Sequence, residues 1–216
     1  EQDNPRREFL RKTLTLIPVV TVASTSLGGS VLMATSNADA QTASSAEGRT
    51  PAPGKAYEPT YFTAEEWAFV NAAVARLIPA DEQGPGALEA GVPEYIDRQM
   101  NTPYASGALW FMQGPFNADA PAEMGWQSKL VPNQIYRLGI AATDEHCKKV
   151  HGSVFAGLDS ATRDEVLKQL EAGAPQFESV PAKMFFSFLL QNTKEGFFCD
   201  PIHGGNKGMV GWTMIG

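Results

Sequence analysis

Several residue groups are of a type that can do chemistry. His203 follows Asp200 by three positions in Cys199-Asp200-Pro201-Ile202-His203. A histidine beside a carboxylate is the arrangement of a general base, but Asp200 is the sole nearby acid and no nucleophile stands close in sequence. His146, Cys147 and His151 fall in one stretch with helical character, flanked by Asp144 and Glu145. A five-residue step sets His146 and His151 about 140° apart around a helix, so they do not share a metal as a four-residue step would allow. Gly204-Gly205-Asn206-Lys207-Gly208 resembles a phosphate loop in composition but lacks the GxxxxGK[ST] order and a preceding strand. The pair Asp81 and Glu82 in a Gly-Pro-Gly turn offers two adjacent carboxylates, which in a turn are ordinarily solvated.

Cys147 and Cys199 are the two cysteines of the chain. No CxxCH is present, and two thiols are too few for an iron–sulfur cluster held by this chain alone. In an oxidising compartment they tend to pair. A Cys147–Cys199 bridge, a bridge from Cys199 to a partner's cysteine, and two free thiols all remain open.

The elements that must position these residues read as helices. Thr63-Ala64-Glu65-Glu66 is a capping box. Trp67, Val70, Val74, Leu77 and Ile78 then recur at helical steps up to Pro79. A turn with Gly84, Pro85 and Gly86 leads to a short helical turn at 87–90 and a second helix from Val92 to Met100. The segment 101–132 has Pro, Gly and aromatics without period, including Trp110, Phe111, Phe116 and Trp126, which predicts an ordered loop lying against a surface. Pro132 opens a helix to about Val150 with Ile135, Leu138, Ile140 and Ala141 inward, and Leu158-Asp159-Ser160 introduces another that stops at Gly173. Pro181 begins a last, nearly all-apolar helix that runs into a tail with Gly196, Gly204, Gly205, Gly208 and Gly211. The expected class is all-α, about five helices with long irregular connections and a glycine-rich C-terminal tail. Such a tail has little order of its own, and much of its packing is expected to come from another subunit.

The chain's 216 residues, 43% hydrophobic, suffice for one domain plus a leader. A net charge of −7 argues against nucleic acid and anionic lipid as general partners. Residues 1–40 read as a secretory signal of the twin-arginine type: Arg6 and Arg7 followed by Phe9 and Leu10, a mildly apolar run to Met33, then Ala38-Asp39-Ala40 for cleavage. Pro18 and the glycines and hydroxyls make a poor membrane anchor, so cleavage is expected. Residues 41–59 read as a flexible linker and 60–216 as the helical domain. The chain starts without Met and stops at Gly216, which suggests trimming at both ends. The twin-arginine route carries folded, often cofactor-loaded proteins, yet no cofactor site is evident; the signal then serves a partner that holds one.

Three stretches carry a family resemblance: RREFLRK, LIPADEQGPGALEAGVPEYID and GFFCDPIHGGNKGMVGW. Together they resemble the gluconate 2-dehydrogenase subunit 3 family, from about Phe62 to the end plus the leader. The resemblance implies a small, cofactor-free accessory subunit of a periplasmic complex associated with the inner membrane. Its partners would be a large flavoprotein of the glucose–methanol–choline type holding FAD, a multihaem cytochrome holding haem c, and the twin-arginine translocase. It carries over no catalytic residue. Phe197, Phe198, Cys199, His203 and Trp212 are interface candidates on their chemistry. The rival expectation is a self-sufficient periplasmic enzyme or metal-binding protein using His203, with Asp200 or His151.

Overall fold

The computed structural model describes residues 57–117 and 119–216. The leader, with Arg6, Arg7, Phe9 and Leu10, and the linker up to Ala56 lie outside the described residues. Tyr57–Pro59, which the sequence gives to the linker, lie inside, and the Tyr57 hydroxyl donates to Asp97 at 2.7 Å.

Among the described residues the architecture is all-α, with no strand beyond an isolated bridge between Asp81 and Gly84. Helix α1 spans Ala64–Leu77 and starts where the capping box requires: Glu66 N–H donates to Thr63 Oγ1 and Thr63 N–H to Glu66 Oε2. Its inward face is Phe69, Val70, Ala73 and Val74. Helix α2 (Val92–Gln99) follows the 78–91 turn. Helix α3 (Pro132–His151) has Pro132 in its first turn, where a missing N–H costs nothing. Helix α4 (Ser160–Ala172) is capped by Asp159, which accepts from the N–H groups of Ala161 and Thr162, and ends at Gly173.

Helix α5 (Ala182–Phe198) packs against every other α-helix of the described domain. Pro181 is its N-cap, one position outside the helix where the sequence placed it inside. The near-continuous apolar run has a local cause, because a central helix is surrounded by its own domain on most sides. Phe185 lies between Phe69 of α1 and Tyr136 of α3, with ring centroids 5.9 and 6.0 Å away. Complete burial of a side chain such as Phe185 or Leu189 contributes roughly 2–3 kcal/mol each. A sixth helix, α6 (Val210–Ile215), lies in the tail, where the sequence predicted none. No described helix is long and apolar enough to cross a membrane.

The irregular segment after α2 lies on a surface through Trp110 and Trp126, whereas Phe111, expected to do the same, is exposed. Trp110 and Trp126 pack together with centroids 4.9 Å apart, and Trp126 stands edge-on to Phe188 of α5 at 5.5 Å. The Trp126 indole N–H donates to Leu130 O at 3.1 Å, so the ring is held in place.

Candidate functional site

The tail after α5 folds back onto the helix that carries it. Asp200 accepts from Ile202 N–H at 2.9 Å and caps a 3-10 turn, Pro201–His203. Two glycines then permit backbone contact. A Cβ on Gly205 would stand 2.1 Å from Gly196 O and 2.9 Å from Cys199 Sγ, and one on Gly211 would stand 2.1 Å from Phe197 O. No side chain fits either place, so these glycines answer to α5 of the same chain. The expectation that another subunit supplies much of this packing is corrected at that point.

Asn206 is the lock. It is fully buried in the left-handed region, with φ of 43°. Its backbone N–H donates to Gly196 O at 2.9 Å and its side-chain amide to Cys199 O at 2.9 Å, while its Oδ1 accepts from Gly211 N–H at 2.8 Å. One residue thus ties the end of α5, the turn and the start of α6. Next to it, Lys207 N–H donates to Ala90 O at 2.9 Å, and the Lys207 ammonium pairs with the buried Glu94, which also pairs with Arg98. The tail is therefore pinned to α5 and to the entry of α2. Sequence reasoning passed over Asn206 and Glu94. The available signal for Asn206 was its type beside two glycines, since Asn enters the left-handed region more readily than most residues.

The interface candidates separate into two kinds. Phe197 is fully buried within this chain, its ring edge-on to Phe198 at 5.1 Å, so it supports the tail from below and presents no surface. Phe198 and Cys199 are half-buried, His203 is exposed, and Trp212 is 39% exposed with its indole N–H donating to Phe198 O at 2.8 Å. Around them Ile202, Met209 and Ile215 are exposed. Lys207 is the one residue of 201–216 with a formally charged side chain, and it is committed to Glu94. The tail's outer surface is apolar, charge-poor and held on a rigid frame.

The candidate chemical groups are not brought together. Asp200 is occupied by its own turn, and His203 and His151 are both exposed. The His146 ring lies against Phe177 with Nε2 buried and unpaired. Asp144 accepts from Phe155 N–H, and Asp81 accepts from Gln83 N–H. Among the described residues no three His, Cys, Asp or Glu side chains converge on one point.

Cys147 and Cys199 are free thiols, and the bridge between them is not formed. Cys147 sits in the core on α3, where burial, with Asp144 nearby, pushes its pKa up to about 11. Burial also raises Cys199, although the N–H of Gly205 draws it partly back. The thiolate is the reacting form. At about pH 8, close to the ordinary thiol pKa, iodoacetamide is expected to label Cys199 well before Cys147, as read by peptide mass spectrometry. Equal rates would mean that the core does not shield Cys147.

The fold and the site define a small all-helical domain whose long central helix carries an ordered, glycine-rich C-terminal tail. Residues 64–216 match the family model of gluconate 2-dehydrogenase subunit 3, and the chain belongs to that family. It is by family a subunit of a gluconate 2-dehydrogenase complex, which implies partner subunits. No curated protein and no solved structure matches the chain.

Proposed function

We propose that the chain is a non-catalytic accessory subunit that binds a large FAD-dependent sugar or sugar-acid dehydrogenase, stabilises it and carries it through the twin-arginine route. In this reading the flavin sits in the large subunit, of the glucose–methanol–choline type, and haem c in a multihaem cytochrome. The complex works in the periplasm against the inner membrane. The observation that carries the proposal is the exposed apolar surface of the tail, with Ile202, Met209, Trp212 and Ile215 outward over the Asn206 lock. A surface ordered before association loses little conformational entropy when it docks. Binding to the native partner alone then stabilises that partner by mass action.

Two variants test it. Trp212→Ala is expected to weaken copurification of the flavoprotein by about 2 kcal/mol, roughly thirtyfold, as for a central aromatic anchor. Unchanged copurification in a tagged pull-down would remove the tail from the interface. Replacing Arg6 and Arg7 by Lys is expected to leave the pair in the cytoplasm, with flavin and dye-reducing activity missing from the periplasmic fraction. Normal periplasmic activity would exclude this chain as the carrier of the export signal.

A further inference from the structure

Helix α2 is 8 residues long, and both ends of the described chain are fastened to it. At its entry lies the C-terminal tail. Lys207 N–H donates to Ala90 O at 2.9 Å, and the Lys207 ammonium pairs with Glu94. At its exit lies segment 57–62, through which residues 1–56 join the domain. Asp97 accepts from Tyr57, Thr60, Tyr61 and Phe62, and the Asn101 amide donates to Thr60 Oγ1 at 2.9 Å.

One side chain of α2 touches both attachments. The Arg98 guanidinium pairs with Glu94 and lies 5.8 Å from the centre of the Tyr57 ring. The tail stands against its stem. A Cβ on Gly204 would be 3.0 Å from Arg98 Cδ and Nε and 3.1 Å from Glu94 Oε1, so backbone lies there in contact. Glu94 is 8% exposed and holds two cations, Arg98 from its own helix and Lys207 from the tail. A buried carboxylate is costly unless it is well paired. With the tail in place, Lys207 shares that charge, and Gly204 restricts the arginine stem with its guanidinium over Tyr57. With the tail away, Glu94 depends on Arg98, the stem gains rotamers, and Tyr57 loses a fixed cation.

We infer that the tail and segment 57–62 are coupled through Arg98, so that a partner docked on the tail tightens the segment by which the leader joins the domain. Each attachment holds Arg98 where the other uses it, which makes the coupling positive, and a coupling free energy acts equally in both directions. The coupling stands on this chain's own contacts. Its use by the flavoprotein rests on the accessory-subunit reading.

Amide hydrogen exchange in the free chain tests the coupling. Lys207→Met is expected to raise exchange at Tyr61 and Phe62 about fivefold. Tyr57→Ala is expected to raise exchange at Gly211 by the same factor. Both cross effects are expected to vanish when Arg98→Met is already present. Leu170, buried on α4, reports global loss of stability. The side chains of Lys207 and Arg98 are half-exposed, so both variants should fold. Exchange raised only at each variant's own end, or raised equally at Leu170, overturns the coupling and leaves the accessory reading untouched. Cross effects that persist in Arg98→Met overturn the assignment to the arginine.

The complex tests the use. Bound flavoprotein is expected to slow exchange at Tyr61 and Phe62 about fivefold in the wild-type chain and not in Arg98→Met. A flavoprotein that copurifies without slowing those amides, or that slows them equally in Arg98→Met, overturns transmission from the tail. Failure to copurify overturns the accessory reading instead, and the free-chain exchange still decides the coupling.

Discussion

Asp97→Ala is expected to lower the unfolding free energy by roughly 3–5 kcal/mol, the range for breaking a buried charged hydrogen-bond network. Asp97 is fully buried on α2. Its Oδ2 accepts from Tyr57 Oη–H, Thr60 N–H and Thr60 Oγ1–H at 2.7, 2.8 and 2.9 Å, and its Oδ1 from Tyr61 N–H and Phe62 N–H at 3.0 Å each. Truncation leaves buried donors without an acceptor and frees the segment that leads into α1. Asn at this position keeps one carbonyl oxygen but turns an amide donor toward groups that themselves donate, so it recovers part of the loss at most.

The same site gives a pH dependence. Burial by itself would raise the Asp97 pKa, but the N–H groups of Thr60, Phe62 and Tyr61 and the Tyr57 hydroxyl outweigh it and hold the carboxyl below its ordinary range. A carboxylate with a depressed folded pKa contributes stability above its unfolded value, about 3.9. That contribution is lost as pH falls through the folded pKa. Denaturant titrations between pH 6 and pH 2 should show this component in the wild-type chain and lack it in Asp97→Asn. Parallel curves for the two proteins would mean that Asp97 is not the group responsible.

Asn206→Ala is expected to cost about 3 kcal/mol and to release the tail from α5. Loss of the side chain leaves Cys199 C=O and Gly211 N–H unpaired, and Gly211 is buried. An unsatisfied buried group costs about 1–3 kcal/mol. Alanine also bears the left-handed backbone penalty, about 1 kcal/mol or more. Asn206→Gly loses the same hydrogen bonds without that penalty, so it should fall between wild type and alanine, and the difference measures the backbone part. Hydrogen exchange at Gly211 is the direct readout, since local opening of the tail need not unfold the bundle. Retained protection at Gly211 in Asn206→Ala would show that the glycine contacts hold the tail without the amide. If the tail is the docking surface, flavoprotein copurification should fall in parallel with that protection.

Legibility in the sequence followed the range of the interactions. The starts of α1 and α4 and the stop of α4 were written in adjacent residues, because a cap bonds to atoms two to three positions away. Trp110 and Trp126 advertised a covered surface by type but not which surface, since Phe188 lies far along the chain. The tail was misread for the same reason. Five glycines in sequence say only that side chains are not wanted, and an obstructing partner subunit and an obstructing helix of the same chain leave the same mark. The structure decides for the helix, through Gly196 O and Phe197 O.

The sequence by itself determined that the chain is helical, where its local caps lie, and, through its motifs, its family. Tertiary structure alone decided that α5 is the centre of its own domain, that Phe197 faces inward while Ile202 and Trp212 face outward, and that Asp97 and Asn206 hold the two ends of the described chain in place. The physical reason is that helix propensity and capping act within a turn of helix, whereas burial and buried hydrogen bonds depend on which distant segment arrives to complete them.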